Sequence, residues 1–165
     1  MKKKALLFTR FPYESAFGGE ESHTLCLARH FKSLGFEPIF LGSCPILTEE
    51  FCKSGFTAIP VWGSKMIVTL WQLLKSFILF PFIWWNLRRH LRRVMKTYDV
   101  KAVVFLSLNE KLFLTRFIAE QGIPVTWIEH QEIRCWLLTN PWHLLYQVNA
   151  KLVKIGNSLG SESRV

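Results

Sequence analysis

After a basic start to Lys4, the chain enters an unbroken apolar run, Ala5-Leu6-Leu7-Phe8-Thr9. A short run without polar alternation predicts a strand buried on both faces of a parallel sheet. A polar loop containing Pro12, Gly18 and Gly19 follows. From Glu20 to Leu34 the pattern becomes helical, with Leu27, Phe31 and Leu34 at core-facing spacing and Gly35 placed as the stop. Glu37 to Gly42 reads as a second strand, Thr48 to Lys53 as a short helix ending at Gly55, and Thr57 to Val61 as a third strand. Ser64 to Lys96 is predominantly helical, and Pro81 within it is expected to break or kink the helix, because proline lacks an amide donor. Lys101 to Leu106 then predicts a strand, Glu110 to Gln121 a helix closed by Gly122, and Pro124 to Ile128 a further strand.

Repeated strand, helix, strand implies an α/β domain: a Rossmann-like parallel sheet with right-handed crossovers and helices on both faces. A chain of 165 residues fits one such domain, residues 1–165, and half of its residues are hydrophobic. In these sheets ligands bind beyond the carboxyl ends of the strands, which directs attention to the loops after Thr9, Gly42, Leu106 and Ile128.

Composition sharpens this picture in three ways. The formal charge of +9, from 21 Lys and Arg against 12 Asp and Glu, favours anionic partners: nucleic acid, anionic lipid headgroups or phosphorylated ligands. Seven Trp and 14 Phe exceed what a small core absorbs, so some apolar surface is expected to meet a partner. Cys26, Cys44, Cys52 and Cys135 form no Cys-x-x-Cys pair, and the apolar run after Lys4 is far too short for a secretory signal. A disulfide framework or zinc site is therefore not expected, and reduced thiols in a cytoplasmic protein are.

Within the first of those loops, Phe17-Gly18-Gly19-Glu20-Glu21-Ser22-His23 places two glycines just ahead of a helix. Backbone can approach a ligand closely there, and helix-end amides can face a phosphate or a sugar. A Gly-Gly pair also simply permits a tight turn. The spacing is neither a Gly-x-Gly-x-x-Gly dinucleotide fingerprint nor a Gly-x-x-x-x-Gly-Lys-Ser/Thr phosphate loop.

The wider segment, from Phe11-Pro12 through Gly18-Gly19-Glu20-Glu21-Ser22-His23 to Leu27-Ala28 and Leu34-Gly35-Phe36-Glu37, resembles the opening of family-4 glycosyltransferases of the GT-B fold. In that family Gly-Gly-x-Glu-x-His leads a helix ending in Gly-His-Glu; here Phe36 stands where histidine is common. The resemblance continues through Tyr98-Asp99-Val100, Gly122-Ile123-Pro124-Val125 and Glu129-His130-Gln131. It implies the N-terminal half of a GT-B fold, the acceptor side of a retaining enzyme that moves a sugar from a nucleotide-sugar co-substrate to a glycan or lipid-linked acceptor. No metal is expected. The family's basic diphosphate-binding pair and Glu-x7-Glu segment have no counterpart before Val165, so by this resemblance the chain is half an active site, inactive without a C-terminal domain or partner subunit. Gly18 and Gly19 match the loop that approaches the donor or the reacting sugar, Glu21 matches the family's glutamate in the first helical turn, and His130 matches a histidine close to the transferred sugar. The alternative is a stand-alone, non-catalytic module of the same fold that binds a glycan, a lipid or a subunit.

The segment from Met66 to Lys96 carries Trp71, Phe77, Phe80, Phe82, Trp84 and Trp85 ahead of Arg88, Arg89, Arg92, Arg93 and Lys96. On a helix, Arg88, Arg92 and Lys96 recur at four-residue spacing, as do Arg89 and Arg93, opposite Leu87, Leu91, Val94 and Met95. Such a basic amphipathic helix lies on an anionic bilayer, as peripheral contact at the cytoplasmic face, or forms a core helix with a solvated charged side. A spanning helix is disfavoured by Gln72, Lys75, Pro81 and Asn86 within the roughly 20 mainly apolar residues it would need. Nucleic-acid binding is disfavoured because basic and aromatic residues sit in separate blocks.

Overall fold

A computed structural model describes residues 2–11, 17–61, 70–128 and 147–153. Five strands, β1 (Lys4–Arg10), β2 (Glu37–Gly42), β3 (Thr57–Pro60), β4 (Asp99–Phe105) and β5 (Val125–Trp127), form one sheet in the order β3-β2-β1-β4-β5. All four pairings are parallel. The helices are α1 (Gly19–Ser33), α2 (Pro45–Lys53), α3 (Leu70–Thr97), α4 (Leu108–Phe113) and α5 (Thr115–Ala119), and residues 147–153 are also helical. The fold is the α/β, Rossmann-like arrangement that the pattern of apolar runs predicts.

Alternate residues of each strand feed two cores. Ala5 and Leu7 of β1, Ile39 and Leu41 of β2, and Val103 and Phe105 of β4 pack with Leu87, Leu91 and Val94 of α3 and Phe117 and Ile118 of α5. Leu6, Phe8, Phe40 and Val104, of opposite parity, pack with Leu25 and Ala28 of α1 and Leu47 and Phe51 of α2. Helices thus cover both faces, which is why the strands read as continuous apolar runs and not as alternating ones. Strand order reverses at β1, so the crevice outside the carboxyl ends of β1 and β4 is the topological switch point where such sheets take ligands.

Three local expectations need correction. The inward side of α1 is Glu21, Thr24, Leu25 and Ala28, while Leu34 caps the helix and is 57% exposed. Two polar residues in the inward stripe disguised its position, and Leu27 and Phe31 pack only at its margin. Of the break or kink expected at Pro81, the break does not occur: α3 continues on both sides of it, without the hydrogen bond that its missing N–H cannot make and with its ring against the carbonyl four residues earlier. The helix expected from Glu110 to Gln121 is two short ones meeting at Leu114, followed by Gly122 at φ 70°.

Candidate functional site

Arg10 ends β1 at the switch point, where strand pairing holds its backbone opposite Gly42. Its side chain is only 4% exposed and faces the first turn of α1, pairing through Nη2 with Glu20 at 3.1 Å and through Nη1 with Glu21. The second Glu21 oxygen accepts the Gly18 amide at 2.8 Å, the one half of a capping box that a glycine N-cap allows. Burial opposes the charged form of Glu21, but its own amide, the Gly18 amide and the Arg10 guanidinium outweigh that and hold its carboxyl below the usual range. Both Glu21 oxygens are thereby used within the chain. Its part is to hold the turn, with Arg10 as the cation that makes a buried carboxylate affordable.

Across the crevice, Glu110 lies in the first turn of α4, fully buried. One carboxyl oxygen accepts the Phe11 amide at 2.6 Å and the other meets the Ser107 hydroxyl. The group therefore ties the loop after β1 to the loop after β4. Burial pushes its pKa up to about 8, against the opposing pull of its own and the Phe11 amides and of the Lys111 and Arg10 charges. Beside it, Lys111 is also buried and donates to the Ile128 carbonyl at 2.7 Å, reaching the end of β5. Asn149 donates to the Lys111 and Leu112 carbonyls, fixing α4 from the other side.

Gly18 and Gly19 stand at the start of α1, in the connection that follows the carboxyl end of β1. Neither has positive φ, and Gly18 sits in extended backbone that any residue adopts. A Cβ on Gly19 would meet no atom within 4 Å, and one on Gly18 would make only a 3.4 Å approach to Glu21. Among the described residues, then, neither dihedral angle nor crowding requires glycine at position 19. Beside the pair, Phe17 is 54% exposed. Of the first amides of α1, those of Gly18 and Glu21 are taken by the Glu21 carboxylate, which leaves those of Gly19 and Glu20 for whatever enters. Two first-turn carboxylates share the Arg10 cation, however, and their net negative charge offsets the pull of the helix end on an anion.

No family model matches this chain, and no curated protein does. Among solved structures, the chain is similar to the C-terminal domain of a hydrogenase from Pyrococcus furiosus, with a TM-score of 0.53 and 16% identity over 77% of this chain and 91% of that one. At that identity the likeness extends to the fold alone: a compact α/β domain.

Of the residues that the sequence singled out, Gly18, Gly19 and Glu21 come together at the switch point. His130 lies outside the described residues, two positions beyond the last described residue of the β5 loop. His23 is on the exposed side of α1. Among the described residues no group of three His, Cys, Asp or Glu is arranged to hold a metal ion. Arg10 and Glu110 are the residues that sequence reasoning passed over. Ser107-x-x-Glu110 has the spacing of a capping box, and that signal could have found the second of them.

The basic residues of α3 lie elsewhere, on the helix flank. Arg88 is half-buried, its Cζ 3.4 Å from the Trp84 ring centroid and 4.4 Å from that of Phe117. Burial and then the Arg92 charge disfavour its charged form. Arg89, Arg92, Arg93 and Lys96 are exposed. No described helix is long and apolar enough to cross a membrane.

Proposed function

We propose that this chain is the acceptor-side, N-terminal part of a retaining glycosyltransferase of the family-4 type. In this reading it moves a sugar from a nucleotide-sugar donor to a glycan or lipid-linked acceptor, with a second domain completing the donor site. The observation that carries the reading is the Gly18-Gly19-Glu20-Glu21-Ser22-His23 turn at the switch point, with a glycine at position 19 that packing among the described residues does not require. A site that must let backbone approach a sugar supplies the missing reason for that glycine. In this reading the net negative charge of Arg10, Glu20 and Glu21 suits a hydroxyl-bearing acceptor or a transferred hexose better than a bare anion. In the same reading His130, following β5, borders the sugar, and the exposed basic residues of α3 keep the protein at the cytoplasmic face of a membrane.

Gly19→Val tests this directly. Its side chain enters space that no described residue fills, so folding and thermal stability should change by less than about 1 kcal/mol. Binding of a nucleotide sugar or glycan, measured by calorimetry on the protein joined to its second domain, should fall at least about tenfold. A variant that binds every sugar ligand as the parent does, or a parent that binds none of a broad panel, refutes the proposal. Retained binding to glycans with no transfer or donor hydrolysis would instead favour the stand-alone binding module.

A further inference from the structure

The 28-residue sequence of α3 contains no Asp or Glu. Its inward side is settled by Leu87, Leu91 and Val94, which pack in the core shared with β1, β2, β4 and α5. On the side turned away from that core, Phe82 is 60% and Trp85 54% exposed, and Arg89, Arg92, Arg93 and Lys96 are exposed as well. At 3.6 residues per turn these six positions fall within an arc of about 100° and form one stripe roughly 21 Å long. Aromatic residues occupy its N-terminal end and cations its C-terminal end.

The stripe carries fixed charge. Half-burial, followed by the charges of Arg93 and Arg89, holds the His90 pKa down, so that histidine adds no charge near neutrality. Arg88 does not belong to the stripe, because it is half-buried with its guanidinium between Trp84 and Phe117; Arg92, at the stripe's edge, also reaches the Phe117 ring, at 5.5 Å, but stays exposed. Arg89 leans over Trp85 at 5.4 Å, joining the aromatic and basic ends. An exposed apolar pair continuous with four cations that pair with no carboxylate among the described residues matches one partner chemistry: a sheet of anionic headgroups over hydrocarbon.

We infer that the Phe82, Trp85, Arg89, Arg92, Arg93 and Lys96 stripe of α3 is a docking surface for an anionic phospholipid bilayer, with the aromatic rings at the headgroup boundary and the cations on lipid phosphates. This deepens the peripheral placement proposed above and identifies which of the basic residues serve it. The helix lies flat, since its opposite side is committed to the core.

Flotation of the full chain with vesicles tests the assignment without any sugar ligand, so failure here and failure of the glycosyltransferase reading are separate results. The chain should float with equimolar phosphatidylcholine and phosphatidylglycerol and stay behind with phosphatidylcholine alone. The quadruple variant R89Q/R92Q/R93Q/K96Q should partition roughly a thousandfold more weakly. F82S/W85S should leave binding that added salt abolishes, whereas the parent resists salt. Arg88→Gln, checked as folded by circular dichroism, should float as the parent does. Equal flotation with neutral vesicles, unchanged flotation of the quadruple variant, loss of flotation in a folded Arg88→Gln protein, or displacement from anionic vesicles by a single-stranded oligonucleotide at equal phosphate concentration would each overturn the inference. Inorganic phosphate at the same concentration should not displace the protein, because one anion does not replace a charged sheet; displacement by it would also overturn the inference.

Discussion

Glu110→Gln should change the way stability depends on pH more than any other single substitution at the switch point. The wild-type carboxyl is fully buried, with its pKa raised from 4.5 to about 8. The sign follows from proton binding. Below pH 4.5 both folded and unfolded chains carry the proton, and the group leaves stability unchanged. Between 4.5 and 8 the unfolded chain releases its proton while the folded chain keeps it, so stability falls by about 1.4 kcal/mol for each pH unit. From pH 5 to pH 7.5 the loss is on the order of 3 kcal/mol, a large part of the 5–15 kcal/mol that small domains possess. Glutamine keeps an oxygen to accept the Phe11 amide and an amide to donate to Ser107, but cannot ionise.

The assay is urea unfolding of both proteins at pH 5, 6, 7 and 8. Other titrating groups, His90 included, cancel in the difference between the two. Glu110→Gln should be close to the parent in stability at pH 5 and gain on it by roughly 3 kcal/mol near pH 7.5. Parallel stability profiles would mean that Glu110 titrates alike in both states, and would refute the description of it as a proton-bearing tie between the two loops.

Two further substitutions probe the frame around the site. A Cβ on Gly42 would lie 2.2 Å from the Arg10 carbonyl oxygen, so Gly42→Ala forces β2 and β1 apart at the base of the crevice. It should lower stability by about 1–3 kcal/mol in thermal unfolding, and an unchanged melting temperature would show that the strands yield freely there. Thr9 is fully buried and its hydroxyl has no hydrogen-bond partner among the described residues. Thr9→Val keeps the shape and removes that polar group, and should raise stability by about 1 kcal/mol on the same measurement; a loss would point to a partner for the hydroxyl.

The strands were legible because a doubly covered parallel sheet demands apolar residues on both faces, and Ala5 to Phe8, Pro38 to Leu41 and Ala102 to Phe105 meet that demand without interruption. Their limits were found within two residues, since strand ends depend on pairing more than on composition. The inward stripe of α1 was misplaced because Glu21 and Thr24 are buried for reasons that hydropathy does not encode. Thr24 donates back to the Glu20 carbonyl, and Glu21 is held by Arg10, 11 positions away. The tie between Phe11 and Glu110 spans 99 positions and was beyond any local pattern. What sequence did convey was the location: glycines after the first strand of an alternating fold belong at the switch point, and they are found there.

The two glutamates that border this crevice have been driven in opposite directions. Glu21 is charged because Arg10 and two amides stabilise it, and Glu110 keeps its proton near neutrality because burial outweighs the cations nearby. With Glu20 also paired to Arg10, the three charged groups of the turn itself, Arg10, Glu20 and Glu21, sum to one negative charge near pH 7, with the Lys111 cation set apart beside Glu110. A phosphate entering beside the first amides of α1 would meet that excess of negative charge before it gained from the helix end, whereas a sugar hydroxyl would not. The expected order of ligands follows: neutral glycans should bind this domain in the presence of about 10 mM inorganic phosphate with less than a twofold loss of affinity, because the phosphate has no favourable seat here. Strong competition by phosphate, read by calorimetry at pH 7, would show that Arg10 leaves its carboxylates to bind the anion, and would turn the turn at Gly18 and Gly19 into a phosphate site.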